Sequence, residues 1–166
     1  MRYLIDSNCF IEPNRTFCPT DVGVSFWNKM KFLFDEHVLC SLNKVREELK
    51  TGDALDEWVK SNLDKSFFLR FEESQPAVDR LGQIINWAQR STFYTDRAKA
   101  KFMMMDKADI YLVSYASIRP EEFTVVSQET PNPNHPGEIK LPDVCNAFGT
   151  RCIFLQNMFR EITETF

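Results

Sequence analysis

At 166 residues the chain has room for one domain with its own core, and 43% hydrophobic with 27% charged residues is the balance of an ordinary globular protein. Fifteen Phe argue against disorder, and no apolar run approaches the roughly 20 residues that span a bilayer, which excludes a helical membrane protein. The net charge of −4 opposes a nucleic-acid partner at first sight, but the distribution of charge counts for more than its total.

In chain order, an apolar strand covers residues 2–6 and runs through Tyr3, Leu4 and Ile5 into Asp6, Ser7 and Asn8. A turn-rich connection with Pro13, Asn14 and Pro19 precedes a helix from about Thr20 or Asp21 to Asp35. Val38-Leu39-Cys40 reads as a short buried strand. Ser41 then caps a helix over Asn43–Lys50 that stops at Gly52, and Asp53 opens another to Leu63 with Leu55, Trp58 and Val59 on its apolar side. Phe67-Phe68-Leu69 is a second short apolar run.

Ser74 and Pro76 start a helix in which Val78, Leu81, Ile85 and Ala88 recur at helical spacing. Residues 95–104 form the next helix. Asp106 caps one over 107–117, ended by Pro120, and residues 123–127 form a strand. Residues 130–142 hold four prolines and form a loop, followed by a short helix at Val144–Phe148, a strand at Ile153-Phe154-Leu155 and a closing helix. Short strands alternating with helices imply a mostly parallel sheet covered on both faces, a three-layer α/β/α sandwich in a single domain over residues 1–166.

The five cysteines cannot all pair within the chain, and none forms a Cys-x-x-Cys motif. Cys9, Cys40 and Cys152 lie in apolar stretches, as reduced core thiols do. Cys145 and Cys152 have only His135 nearby, which argues against a zinc site. Residues 1–20 lack the charged-then-apolar pattern of a signal peptide, so a cytosolic address is expected.

Open α/β sheets bind ligands at strand carboxyl ends, and Asp6 stands at one. Turn initiation is its other reading. Glu48 lies at the border of an apolar helix face beside Leu49, although glutamates there commonly face water. Asp109 shares a face with Leu112, Val113 and Ala116, so it needs a partner, or it serves with Asp106 in capping the helix. Glu129 extends the 123–127 strand, again at a carboxyl end, and Asp143 is a reserve ligand after the proline-rich loop.

Gathered acids repel one another, and a divalent cation relieves that repulsion. Mg²⁺ and Mn²⁺ prefer such oxygen ligands and support phosphodiester hydrolysis. With only five Gly there is no glycine-rich phosphate loop, and no Gly-x-Ser-x-Gly elbow is present. A phosphatase of haloacid dehalogenase type needs a second Asp two residues after the first, where this chain has Asn8. Between Trp87 and Lys107, the residues Arg90, Arg97, Lys99 and Lys101 are interleaved with Phe93, Tyr94 and Phe102. That mix suits a phosphate backbone with stacked bases, or simply a solvated helical face.

The ordered motifs resemble those of PIN-domain ribonucleases, a family that includes toxins of toxin–antitoxin pairs. The first is the apolar strand ending in Asp6-Ser7-Asn8. The second is Glu48-Leu49 with Gly52 shortly after. The third is Asp109 opening an apolar helix, and the fourth is Val125-Val126-Ser127-Gln128-Glu129. The resemblance implies an α/β/α sandwich, Mg²⁺ or Mn²⁺, an RNA substrate, and endonucleolytic cleavage with Asp6, Glu48, Asp109 and Glu129 as the acids. Ser7 and Asn8 would be supporting hydrogen-bonders.

A homodimer and an antitoxin that blocks the acids with a basic side chain also fit the family. The fourth acid is Glu rather than the usual Asp. The longer segment from Thr130 to Asp143 is similar to that of a branch with a Pro-Asp-Val-Cys stretch, in which Asp143 would replace or supplement Glu129. Two other readings stand beside this one: a non-catalytic module of the same fold that binds RNA or protein, and a metal-dependent phosphoesterase acting on small molecules.

Overall fold

A computed structural model describes residues 1–165. Five parallel strands form one sheet in the order β3-β2-β1-β4-β5, with β1 (Arg2–Ile5) at its centre between β2 (Leu39–Leu42) and β4 (Phe123–Val126). The edges are two-residue strands, β3 (Phe68–Leu69) and β5 (Cys152–Ile153). Leu4, Ile5, Leu39, Cys40, Val125 and Val126 are all buried, as expected of central parallel strands covered on both faces. The three-layer sandwich expected from the sequence is present.

The chain runs outward from β1 to β2 and β3, then returns past β1 to lay down β4 and β5. Connections leaving the carboxyl ends of β1 and β4 therefore diverge and open a crevice, the switch point where open α/β sheets bind ligands. Ile5 pairs with Val126, so the next residues of the two strands, Asp6 and Ser127, emerge side by side into it.

Several local expectations are corrected. The stretch holding Pro13 is a helix, α1 (Asn8–Thr16), because Cys9, Phe10 and Pro13 bury one helical face together. That burial outweighs the roughly 3 kcal/mol that an interior proline costs a helix. The second helix, α2 (Val24–Asp35), starts later than its sequence suggests. Ser41 is no cap; it lies within β2 and gives its hydroxyl to the Ile5 carbonyl at 2.5 Å, and α3 (Asn43–Glu48) ends well before Gly52. Asp53 does cap α4 (Ala54–Asn62) by accepting from the Asp56 N–H, and Ser74 caps α5 (Gln75–Arg90). On α5 the buried residues are Ala77, Leu81, Ile84 and Ala88, while Val78 is exposed.

Thr95 caps α6 (Asp96–Phe102). The next helix, α7 (Asp109–Ala116), begins at Asp109 itself; Asp106 lies outside it and does not cap it. Every residue from Ile110 to Ala116 is buried, so this helix is part of the core rather than a surface element. The proline-rich loop ends in α8 (Leu141–Ala147), three residues earlier than expected, and α9 (Leu155–Thr165) completes the described chain.

Candidate acidic site at the sheet switch point

Asp6 leaves β1 with 2% of its surface exposed. Its Oδ1 accepts from the Ser7 N–H at 2.7 Å and its Oδ2 from the Ser127 hydroxyl at 3.0 Å. The Ser127 oxygen also accepts from the Asn8 side-chain amide at 3.2 Å and from the Glu129 N–H at 3.2 Å. One buried hydroxyl thus uses its single proton and both lone pairs to join β1, α1 and the segment after β4. Asn8 tightens the same junction, its Oδ1 accepting from the Gln128 N–H at 2.9 Å.

The other acids arrive from three separate elements. Glu48 closes α3, and its Oε1 accepts from the Ala108 N–H at 2.8 Å, at the open amino end of α7. Glu129 does the same for α8, with Oε2 accepting from the Leu141 N–H at 2.9 Å. Helix amino ends present unpaired N–H groups and partial positive charge, so each glutamate is held where such a charge is stabilised. Asp109, first residue of α7, lies close enough to Glu48 and Glu129 to feel their charges.

The electrostatics report convergence. Burial raises the Asp6 carboxyl well above the usual range; Asp109 adds to this, Ser127 opposes it, and Glu48 and Glu129 push it further up. Asp109 is raised to about 7, first by burial, then by Glu129 and Glu48, against the pull of Lys107 and Lys140. Both carboxyls are raised by burial and by neighbouring negative charge.

Asp143 lies in the first turn of α8, and its Oδ2 accepts from the Asn132 N–H at 2.9 Å, fastening the proline-rich loop. Ser7 occupies the cap position of α1 without a capping bond; its backbone N–H serves Asp6 at 2.7 Å and its hydroxyl, more weakly, at 3.5 Å. Among the described residues, no three Cys, His, Asp or Glu side chains form a group that could hold a metal ion. The donors are nonetheless hard, like-charged oxygens. They fit Mg²⁺ or Mn²⁺ held through Asp6 and Asp109, since Mg²⁺ takes one or two carboxylates and keeps several waters.

The basic stretch is partly committed elsewhere. Arg90 ends α5, while Arg97, Lys99 and Lys101 lie on α6. Lys99 bonds the Gln89 carbonyl at 3.3 Å, and Lys101 pairs with Glu138 at 3.1 Å. Phe102 is a core residue at 5% exposure and offers no stacking face, whereas Phe93 is 47% exposed. Sequence reasoning placed Lys107 in the basic stretch rather than beside the acids, and it missed Ser127 and Lys140 as members of the site. The place of Ser127 one residue beyond the β4 register was the available signal for the first.

Five parallel strands with helices on both faces and four acids around the switch point define an α/β/α sandwich with an acidic crevice. The chain belongs to the family described as domain of unknown function DUF4411, which matches residues 3–166. No curated protein and no solved structure matches it. No helix among the described residues is long and apolar enough to cross a membrane.

Proposed function

We propose that this protein is a metal-dependent endoribonuclease of PIN type, acting as the toxin of a toxin–antitoxin pair. One observation carries the reading: Asp6 lies buried at the switch point and feels the charges of Asp109, Glu48 and Glu129, three acids far from it in sequence. A structural role alone gives no reason to gather carboxylates whose repulsion disfavours folding.

A divalent cation, when bound, supplies the positive charge that favours an attacking water and steadies the leaving oxygen of an in-line displacement. Asp6 and Asp109 would hold that cation. Ser127 fixes the Asp6 carboxylate in one orientation, and Glu48 and Glu129 fix the amino ends of α7 and α8 around it. Lys107, whose charge already acts on Asp109, draws the RNA phosphate toward the crevice.

Cleavage of a mixed single-stranded RNA with Mn²⁺ or Mg²⁺ tests the reading, comparing wild type with Asp6→Asn and Asp109→Asn. Loss of cutting in both folded variants supports it; equal cutting by the variants assigns the activity to a contaminant. Turnover of a chromogenic phosphoester in preference to RNA would make the protein a small-molecule phosphoesterase. Growth arrest on expression, relieved by Asp6→Asn, tests the toxin role.

A non-catalytic binding module is favoured by one observation, that Glu48 and Glu129 already have helix N–H partners. Absence of both cutting and calorimetric metal binding selects that reading.

A further inference from the structure

Beside the acids lies an open groove of about 780 Å³, which shares Asn8 and Glu129 with the site. Pockets of roughly 300–1,000 Å³ hold ligands of drug size, a class that includes a single nucleotide. Besides Asn8, whose amide is already bonded to Ser127 and to the Gln128 N–H, three carboxamides line the groove: Gln128, Asn132 and Gln156. Among the described residues none of these three side-chain amides has a hydrogen-bond partner.

Their backbones, by contrast, are fastened. The Gln128 N–H is held by Asn8, the Asn132 N–H by Asp143, and Gln156 lies in the first turn of α9. Free donors and acceptors are thus carried on fixed main chain. Phe17, at 63% exposure, and Phe154 add two aromatic rings to the walls.

Charge decides what part of a nucleic acid enters. Glu12, itself 3.8 Å from Arg15, and Glu129 face the groove against one lining cation, Lys140, which already pairs with Glu138 at 3.1 Å. A phosphate is repelled from such walls. A neutral base is not, and its amino and imino protons find acceptors on the carboxylates and carboxamides. Unpaired RNA bases are recognised in this way, splayed out, stacked on an aromatic ring and hydrogen-bonded along their edges.

We propose that this groove holds one unpaired RNA base next to the cleaved phosphate, and that Gln128 and Gln156 select which base it is. The assignment rests on the ribonuclease reading of the neighbouring acids. It makes duplex RNA a poor substrate, because a paired base presents neither its face nor its pairing edge.

The test maps cleavage sites over a random single-stranded RNA pool. It also measures anisotropy of labelled five-nucleotide homopolymers in chelator, where cutting plays no part. Wild type is expected to cut beside one preferred base and to bind the matching homopolymer best. The double variant Gln128→Ala/Gln156→Ala should lose about 5- to 100-fold on the preferred base, the range for losing a bidentate base contact, and flatten the preference in both assays.

Phe17→Ala should weaken all four homopolymers alike, since stacking tolerates any base. Thermal unfolding checks that the variants fold. Wild-type cutting with a profile that the double variant leaves unaltered overturns the groove assignment and spares the nuclease reading. Base-selective binding that depends on both glutamines, with no cutting under any metal, supports the groove and removes the nuclease reading.

Discussion

Three hydrogen bonds, the Ser7 hydroxyl's the weakest, stabilise the ionised form of Asp6, yet burial and the Asp109 charge still raise its carboxyl well above the usual range. The balance has a measurable sign. Asp109, raised to about 7 in the folded chain against roughly 4 when unfolded, holds its proton in the native state across that window. The native state then binds more protons than the unfolded one, so stability falls as pH rises from about 4 to 7 and is level above. In chelator, the melting temperature should drop between pH 5 and pH 7.5. Asp109→Asn should shrink that drop, melting like wild type at pH 5 and above it at pH 7.5. Thermal scans at the two pH values decide this, and an equal drop in the variant would refute it. Ser127→Ala removes three hydrogen bonds at one buried atom and strands the amide partners. A loss of about 1–3 kcal/mol is expected in urea unfolding, with RNA cleavage falling far more than in Ser127→Thr.

Glu48 serves the amino end of α7 and the acidic crevice at once, and substitutions can divide the two roles. Glu48→Gln keeps an oxygen for the Ala108 N–H while removing the charge. Glu48→Ala removes both. Chemical denaturation should place Glu48→Ala about 0.5–2 kcal/mol below wild type, the usual worth of a helix cap, and Glu48→Gln close to wild type. RNA cleavage should fall in both. A glutamine variant as active as wild type would make Glu48 a structural residue alone. This is also the scale at which the sequence was least legible. The order and type of most elements follow from apolar periodicity, as in β1, β4 and α5. Caps such as Asp53 and Ser74 follow from side-chain chemistry a few residues away. The amino end of α7 could not be read so, because the group that bonds its backbone lies 60 residues earlier. Pro13 misled for a related reason: its helix is held by packing against the rest of the molecule rather than by local preference.

Across the whole molecule, the site is a product of topology. Asp6, Glu48, Asp109 and Glu129 were legible as candidates because each adjoins a strand end or an apolar helix face. Their convergence came from the sheet order, which composition does not encode. A ligand that binds only the folded chain stabilises it, by about 2.7 kcal/mol at a hundred times its dissociation constant. Mn²⁺ should therefore raise the melting temperature at pH 7.5. At pH 5, where Asp109 carries its proton, the gain should shrink sharply. Calorimetric unfolding with and without the cation reads both, and a gain that is equal at the two pH values would place the cation elsewhere.

The contact between Asp6 and Ser127 spans 121 residues, and it joins the strand made early to the one made late. At about 5–20 residues per second, a ribosome needs roughly 6 to 24 s to travel that distance. Throughout that interval the emerging polypeptide carries Asp6 without the hydroxyl that orients it, and without Glu129 and the amino end of α8. The crevice is thus assembled only after the chain has been made through β4, and no shorter nascent chain holds Asp6 in its native setting.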